Sequence, residues 1–593
     1  MRTESLRVLA SRCGALALIT AVVGLLPWLS GRDPALSVLR ALSAEQEPTR
    51  EALDAVRRQL GLDAGPVSML TRWVSGLLRG DLGRSWINGA EVLPSVLSGL
   101  GVSLTLMGAA LVVVLVVSAA LCLPTLLRGA RGDAAATTGG AGAALAALPE
   151  FLLAAVLLVT LSVWLGWFPP YGWDGPLHLV LPALALGIPG GAVLGTLLND
   201  AIPAVFQEPW VAVWRSWGCT RSVLVRGVLR RALPPLLPQA GLVVVGLTGG
   251  AVAVEVVFAV PGIGRSALGA ARAQDVPMLQ GSVLALLLLG LLAGAVVGVV
   301  RRRMLGPALR DAALSLPPHT RWVPNRLHVA IPLGAAVLMA VVIGWGLLRD
   351  PLRIDAAARL ASPAWAHPLG TDGLGRDVLA RVAHGAPATI GVAVAVCACS
   401  YVLALAIGFL PNVARGLAEA ANAVPPVIAG ILVAAVLGPG TFGASLAVAL
   451  VSWPPLAAHA AALVEQTRAA TYVKAHRALG ASPSRIELRH VLPAVAGPVA
   501  RNAVLRLPGI ALALASLGFL GLGAQPPAPE WGLMLAESLP YIERAPLAAL
   551  SPAVMLLLVA VVAMSLSALA SARAHDLRRR QPVGRPTSSG AGR

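Results

Sequence analysis

The 593-residue chain is 57% hydrophobic and only 12% charged, with a mean hydropathy of +0.77, a composition that excludes an ordinary soluble domain and indicates an integral membrane protein. The formal net charge of +18 would suggest a nucleic-acid partner in a soluble protein, but here the arginines cluster between apolar runs, so they read as a topology signal and no nucleic-acid partner is expected. The five cysteines hold no Cys-x-x-Cys pair and the nine histidines no ligand spacing, so neither a disulfide framework nor a metal site is expected.

A spanning helix needs about 20 mostly apolar residues to cross roughly 30 Å of hydrocarbon. Segments 8–30, 99–127, 139–165, 176–198, 236–260, 279–300, 327–347, 387–411, 422–438, 442–463, 497–523 and 547–570 qualify, although 422–463 reads as one helix or two. The expected fold class is therefore an all-α integral membrane protein with about 12 transmembrane helices. The first segment follows Arg2, Arg7 and Arg12. It reads as a span rather than a cleaved signal peptide, because the apolar run reaches Leu29 and no small-x-small site precedes Gly31.

The loop 31–98 carries eight arginines and eight acids, a balance suited to the outer side. Within it, Leu53, Val56 and Leu60 fall at helical spacing before Gly61, which predicts a small amphipathic helix. Gly80 and Gly83 mark tight turns beside Asp81 and Arg84. Glu150 follows Pro149 in the third span and Glu255 lies near the outer end of the fifth. A charge at bilayer depth costs about 2.5–3.5 kcal/mol on insertion scales, so both are pathway candidates, with an inner-rim or helix-capping place the alternative for Glu150.

The inner loop 200–235 centres on Arg215 and Gly218 and is crowded by Trp210, Val213, Trp214 and Trp217, which predicts a bulky docking surface. The segment 301–326 holds six arginines against Asp311, and the stretch after 570 adds six more against Asp576. Both read as cytoplasmic, which puts both termini inside. The outer loop 348–386 places Asp372, Arg376 and Asp377 among Gly370, Gly373 and Gly375, charges suited either to bracing the loop or to meeting a partner. The inner loop 464–496 contains Lys474, the chain's only lysine, with Ala475, Arg477 and Gly480, and then Leu492-Pro493. Its small residues allow a short helix to lie close against another protein, and its cations suit an acidic surface. A phosphate-binding P-loop needs Gly-x-x-x-x-Gly-Lys-Ser/Thr. Lys474 is followed by Ala475 with no such glycines before it, so no cofactor is expected on this chain, and any ATP that drives it must be held by another chain.

The loop around Gly480 resembles the "EAA" loop of binding-protein-dependent ABC importer permeases. The first half resembles the B-type permease of the dipeptide/oligopeptide/nickel branch through Gly80-Asp81-Leu82-Gly83-Arg84-Ser85, His178-Leu179-Val180-Leu181-Pro182, Glu255-Val256-Val257-Phe258, Pro261-Gly262-Ile263-Gly264 and Asp275-Val276-Pro277. The second half resembles its C-type partner through His367-Pro368-Leu369-Gly370-Thr371-Asp372-Gly373-Leu374-Gly375-Arg376-Asp377 and the block from Gly518 to Gly532. The resemblance implies a fusion of two six-helix type I permease halves, 1–310 and 311–593, in a bacterial plasma membrane. It also implies coupling helices in the two inner loops, two ATP-binding-cassette ATPase domains, an extracytoplasmic substrate-binding protein, and cargo such as peptides, nickel or metal chelates. In the first half Leu233-Pro234 falls farther past its glycine than Leu492-Pro493 does in the second, a departure from the pattern. The competing function is an ion-coupled secondary transporter, which would need buried carboxylates or histidines that most of these spans lack. No convergent catalytic set is present for an enzyme.

Overall fold

The computed structural model describes residues 49–60, 65–133, 148–305, 326–411 and 425–580, with isolated positions among the rest. Most of the first expected span and most of the arginine-rich joint lie outside the described residues. Among those described there is no strand, only two isolated bridges in the loops.

The helices run in chain order as α1 (Arg50–Leu60), α2 (Pro66–Leu78), α3 (Val92–Arg131), α4 (Glu150–Leu157, continued by a π-turn to Trp164), α5 (Pro176–Phe206), α6 (Pro209–Ser216), α7 (Arg221–Val257), α8 (Ile263–Ala273) and α9 (Val276–Leu305). The second half follows with α10 (Arg326–Gly346), α11 (Val378–Ala386), α12 (Val392–Gly408), α13 (Pro426–Leu437), α14 (Thr441–Ala469), α15 (Thr471–Ala478), α16 (Pro483–Ile486), α17 (Leu492–Phe519), α18 (Trp531–Ser538) and α19 (Pro546–Arg580). Eight helical segments are long and apolar enough to cross a bilayer, and Glu150–Trp164, Ala330–Gly346 and Pro426–Leu437 are shorter apolar helices. The bundle is thus an all-α arrangement of about twelve spans. Segment 422–463 is two helices, parted at Gly438, whose φ of +80° suits only glycine without strain. Several helices overrun the expected spans: α7 starts at Arg221 and includes Arg226, Arg230 and Arg231. A helix satisfies its own backbone, so it can leave the hydrocarbon without stopping.

Lipid supplies no hydrophobic force between helices, and close backbone approach takes its place. Along α5, Gly187, Gly191 and Gly195 recur every turn, and a methyl on them would meet Ala110 O, Val114 O and Ser118 Cα of α3. Ser118 Oγ donates to Gly191 O at 2.9 Å and Thr125 Oγ1 to Asn199, so hydroxyls stitch the same seam. In the second half Gly408 of α12 meets Ala460 of α14.

The two halves touch through α7, α8 and α9 against α13. Gly249 of α7 faces Pro425, Phe151 stacks on Phe519 with ring centroids 4.8 Å apart, and Arg272 of α8 donates to Leu520 O at 2.5 Å. One face of the bundle carries α1, α2, α8 and α18, and the opposite face carries α6 and α15. Following the arginine distribution they are called outer and inner below. In a cysteine-free background, Glu51→Cys should react with an impermeant maleimide in intact cells and Ala478→Cys should not; the reverse pattern would invert the assignment.

Candidate functional site

On the outer face, α1 turns Leu53, Val56 and Leu60 inward and leaves Glu51, Asp54 and Arg58 exposed, as its periodicity predicts. Leu60, Met69, Trp73, Trp86 and Gln280 line a cavity of about 260 Å³ beneath it. Gly80 and Gly83 have φ of +77° and +79°, and Asp81 Oδ1 accepts the Gly83 N–H at 2.8 Å. The next residues are anchored by Asp275, which accepts from Ser85 Oγ and, at 3.1 Å, from the Trp86 N–H.

In the second outer loop Asp372, Arg376, Asp377 and Arg381 face inward, while Asp350, Arg353, Asp355 and Arg359 are exposed. Asp372 Oδ2 accepts from Arg376 Nε at 2.8 Å and from Arg381 Nη1 at 2.7 Å, while Glu537 Oε2 lies 2.8 Å from Arg376 Nη2 and 2.7 Å from Arg381 Nη2. Arg381 is 1% exposed. Burial opposes ionisation of Asp372, but the N–H groups of Arg376 and Leu374 and the guanidinium groups of Arg381 and Arg376 favour the anion and hold its carboxyl below the usual range. Asp377 caps α11 through the Ala380 N–H at 3.0 Å and pairs with Arg349 at 2.7 Å and His367 at 3.0 Å. Gly370 and Gly375, with φ of +77° and +81°, let the loop fold over Ala361 and Asp355. Asp372, Arg376 and Asp377 therefore brace the loop from within; Arg84, by contrast, is exposed beside Glu91.

The structure separates the two pathway carboxylates. Glu255 has no exposed surface and lines no path in this conformation. Instead, Ser103 Oγ donates to its Oε1 at 2.5 Å and the Arg265 N–H to its Oε2 at 2.9 Å, while the Ile263 N–H donates to Ser103 Oγ at 2.9 Å. The carboxylate thus closes the N-terminus of α8, where unpaired N–H groups and the helix dipole favour an anion. The second half repeats the arrangement at α18. The Trp531 N–H donates to Thr389 Oγ1 and Thr389 Oγ1 to Glu530 Oε1, both at 3.2 Å, and the Leu533 N–H donates to Glu530 Oε2 at 2.8 Å. The carboxylates come from different places. In the first half Glu255 reaches up from α7 to a glycine cap, Gly262; in the second Glu530 is itself the cap and reaches down to Gly518 of α17. A methyl on either glycine would overlap the opposing carboxyl. Burial raises the proton affinity of Glu530, against the pull of its N–H donors.

Glu150 opens α4 directly after Pro149. It is half-buried, with its carboxyl 3.4 Å from where a methyl on Gly250 of α7 would stand, one residue before the Phe151 ring that meets the other half.

On the inner face, α6 and α15 are both eight-residue helices with the same ending. Gly218 and Gly480 have φ of +73° and +81°, their N–H groups donate to Arg215 O and Arg477 O, and the next N–H groups donate to Trp214 O and His476 O. Val211 and Val473 are buried anchors at matching positions. Exposed in common register are Val213 and Ala475, Arg215 and Arg477, Ser216 and Ala478, and Trp217 and Leu479, the last two 75% and 83% exposed. Lys474 also faces solvent, whereas Leu492-Pro493 only start α17. The expectation of a surface crowded by tryptophans needs correction. Trp210 and Trp214 pack edge to face, centroids 5.0 Å apart, against Gly227 of α7. They support α6 from behind, as the stacked rings of His476 and His490, 4.1 Å apart, support α15. Of the crowding residues only Val213 and Trp217 reach the exposed face. Arg215 donates to Gly129 O at 2.6 Å, joining α6 to the end of α3.

The family described as "binding-protein-dependent transport system inner membrane component" matches residues 142–310 and again 389–580. The chain belongs to this family. Among similar proteins are the di/tripeptide transport system permease protein DppC of Pseudomonas aeruginosa, 37% identical over 35% of this chain and 74% of its own length, and the probable D,D-dipeptide transport system permease protein DdpC of Escherichia coli, 34% identical over 37% and 76%. The glutathione transport system permease protein GsiD of Pectobacterium atrosepticum is 30% identical over 44% of this chain and 91% of its own length. The chain is thus a multi-pass permease component of an ATP-binding-cassette importer that carries the permease domain twice. It is not an enzyme; ATPase and substrate-binding partners supply the energy and the cargo. This sets aside the ion-coupled alternative.

Sequence reasoning missed Glu530, Glu537 and Arg381 as structural charges. Glu530 lies within a recognised block, but only its hydrogen bonds in the folded chain link it to Glu255. Glu255→Gln and Glu530→Gln each turn an amide toward buried donors and should each cost about 1–3 kcal/mol, read as a lower unfolding midpoint of the detergent-solubilised protein; unchanged midpoints would refute the capping role.

Proposed function

We propose that this chain is a complete transmembrane unit, a B-type half at 1–310 fused to a C-type half at 311–593. It moves peptides or related small solutes, nickel or metal chelates included, across a bacterial plasma membrane with both termini cytoplasmic. An extracytoplasmic binding protein delivers cargo to the outer loops around Gly80, Asp81 and Gly83 and the braced loop of Asp372, Gly375, Arg376 and Asp377. The observation that carries the reading is the matched pair of inner helices, α6 and α15, with one exposed pattern in both halves. Each half then docks one ATPase domain, and ATP and magnesium sit on those partners. Arg215 and Gly218, and Lys474, Ala475, Arg477 and Gly480, belong to the docking surfaces; Leu492 and Pro493 pass the movement to α17. Peptide cargo is supported by the names of the similar permeases. Glu150, half-buried beside the contact between halves, is the pathway carboxylate of this reading.

One copy of the chain should purify with two ATPase domains; two copies per ATPase pair, by native mass spectrometry, would refute the complete-unit reading. A side chain at Gly218 or Gly480 must adopt a left-handed backbone, a strain of about 1–2 kcal/mol, although open space surrounds both positions. Gly218→Trp and Gly480→Trp should therefore both insert normally yet abolish ATP-driven uptake, because the new ring stands in the docking face. Normal uptake by either variant at normal expression would remove that loop from the coupling path.

A further inference from the structure

Arg506 lies on α17 at about mid-depth in the second half. The depth follows from its neighbour on the preceding turn: Cys397 Sγ donates to Ala503 O at 3.2 Å, and Cys397 sits near the middle of the expected span 387–411. Arginine at that depth is rare, faces the bundle interior or a water-filled cavity, and is normally paired with another ionisable group or a backbone carbonyl. Here Nε donates to Asn502 Oδ1 at 3.2 Å on the same helix. Cys397 of α12 and His459 of α14 lie within electrostatic reach of the guanidinium. Among the described residues no carboxylate pairs with it. The residue is half-buried, and its terminal nitrogens are not among the sealed polar atoms without a partner, so they keep some accessible surface. Asn502 orients the fork and leaves its terminal edge presented.

We propose that Arg506 is a carboxylate-binding site that receives an anionic group of the cargo as it passes the second half. The inference rests on the permease reading and adds a ligand class to it. A guanidinium presents paired N–H donors that fit a carboxylate in two parallel hydrogen bonds, a geometry lysine does not offer. The last residue of α17, Phe519, stacks on Phe151 of the first half, so the helix that carries Arg506 ends at the contact between halves. A lipid phosphate stays at the interface, well above this depth, which leaves the translocated solute as the source of the anion.

Two measurements test this. In the purified full-length chain, phenylglyoxal modification of Arg506, followed by mass spectrometry of the peptide that carries it, should slow at least threefold in trialanine or acetate but not in trialanine amide. An unreactive Arg506, or equal rates in all three, overturns the site whatever the cargo. In proteoliposomes of the complete complex, Arg506→Gln should lower trialanine uptake at least tenfold while ATP hydrolysis stimulated by the binding protein persists, with Arg506→Lys intermediate. Loss of both activities in Arg506→Gln and Arg506→Lys alike would make the residue a structural support, and full uptake by Arg506→Gln would make it dispensable; either overturns the proposal. A wild-type complex that takes up no trialanine would instead refute the peptide reading, and the modification assay would still decide the carboxylate site.

Discussion

Two short helices begin inside the apolar bundle, and their unpaired N–H groups have no water to turn to. The rest of the outer architecture depends on how those groups are satisfied. In each half one carboxylate and one hydroxyl take them up, Glu255 with Ser103 and Glu530 with Thr389. Because each hydroxyl comes from the second span of its half and the short helix leads into the last, each cap ties an early span to the end of its half. The reciprocal glycines follow from sterics alone. A carboxyl needs space to cross between the two elements, so whichever element lacks the glutamate must lack a side chain at the crossing.

The outer loops show a second use of charge. A buried ion pair is costly to desolvate and worth most when every member is paired. Arg376 and Arg381 share Asp372 and Glu537 so that each guanidinium touches both carboxylates. This network binds the loop before α11 to α18, the helix that Glu530 caps. The first half solves the same problem with neutral donors, Ser85 and the Trp86 N–H on Asp275. The two outer faces therefore differ in chemistry although their backbones correspond.

At the inner face the relation is reversed: sequences that look unlike give one surface. Tryptophans in the first loop and histidines in the second fill the same space behind an eight-residue helix. What remains outward is an arginine, a small residue, a large apolar residue and a left-handed glycine in both. Space filled from behind sets the height of the helix, and the exposed register sets what a partner meets.

The sequence by itself determined the class of molecule, the approximate number and the order of spans, the doubling of the domain, the turn glycines and the amphipathic helix α1, because each rests on local composition or periodicity that lipid and backbone geometry enforce. The roles of individual charges were decided only by the tertiary structure. Glu255 and Glu150 look alike in a linear reading, both acids within apolar runs, yet one closes a helix end with both oxygens taken and the other stands half-buried near the contact between halves. Trp214 and Trp217 look alike too, and one packs on Gly227 while the other faces solvent. Such differences depend on which residue arrives from another element, as Thr389 does at Glu530 from 141 positions away, and no local pattern records that.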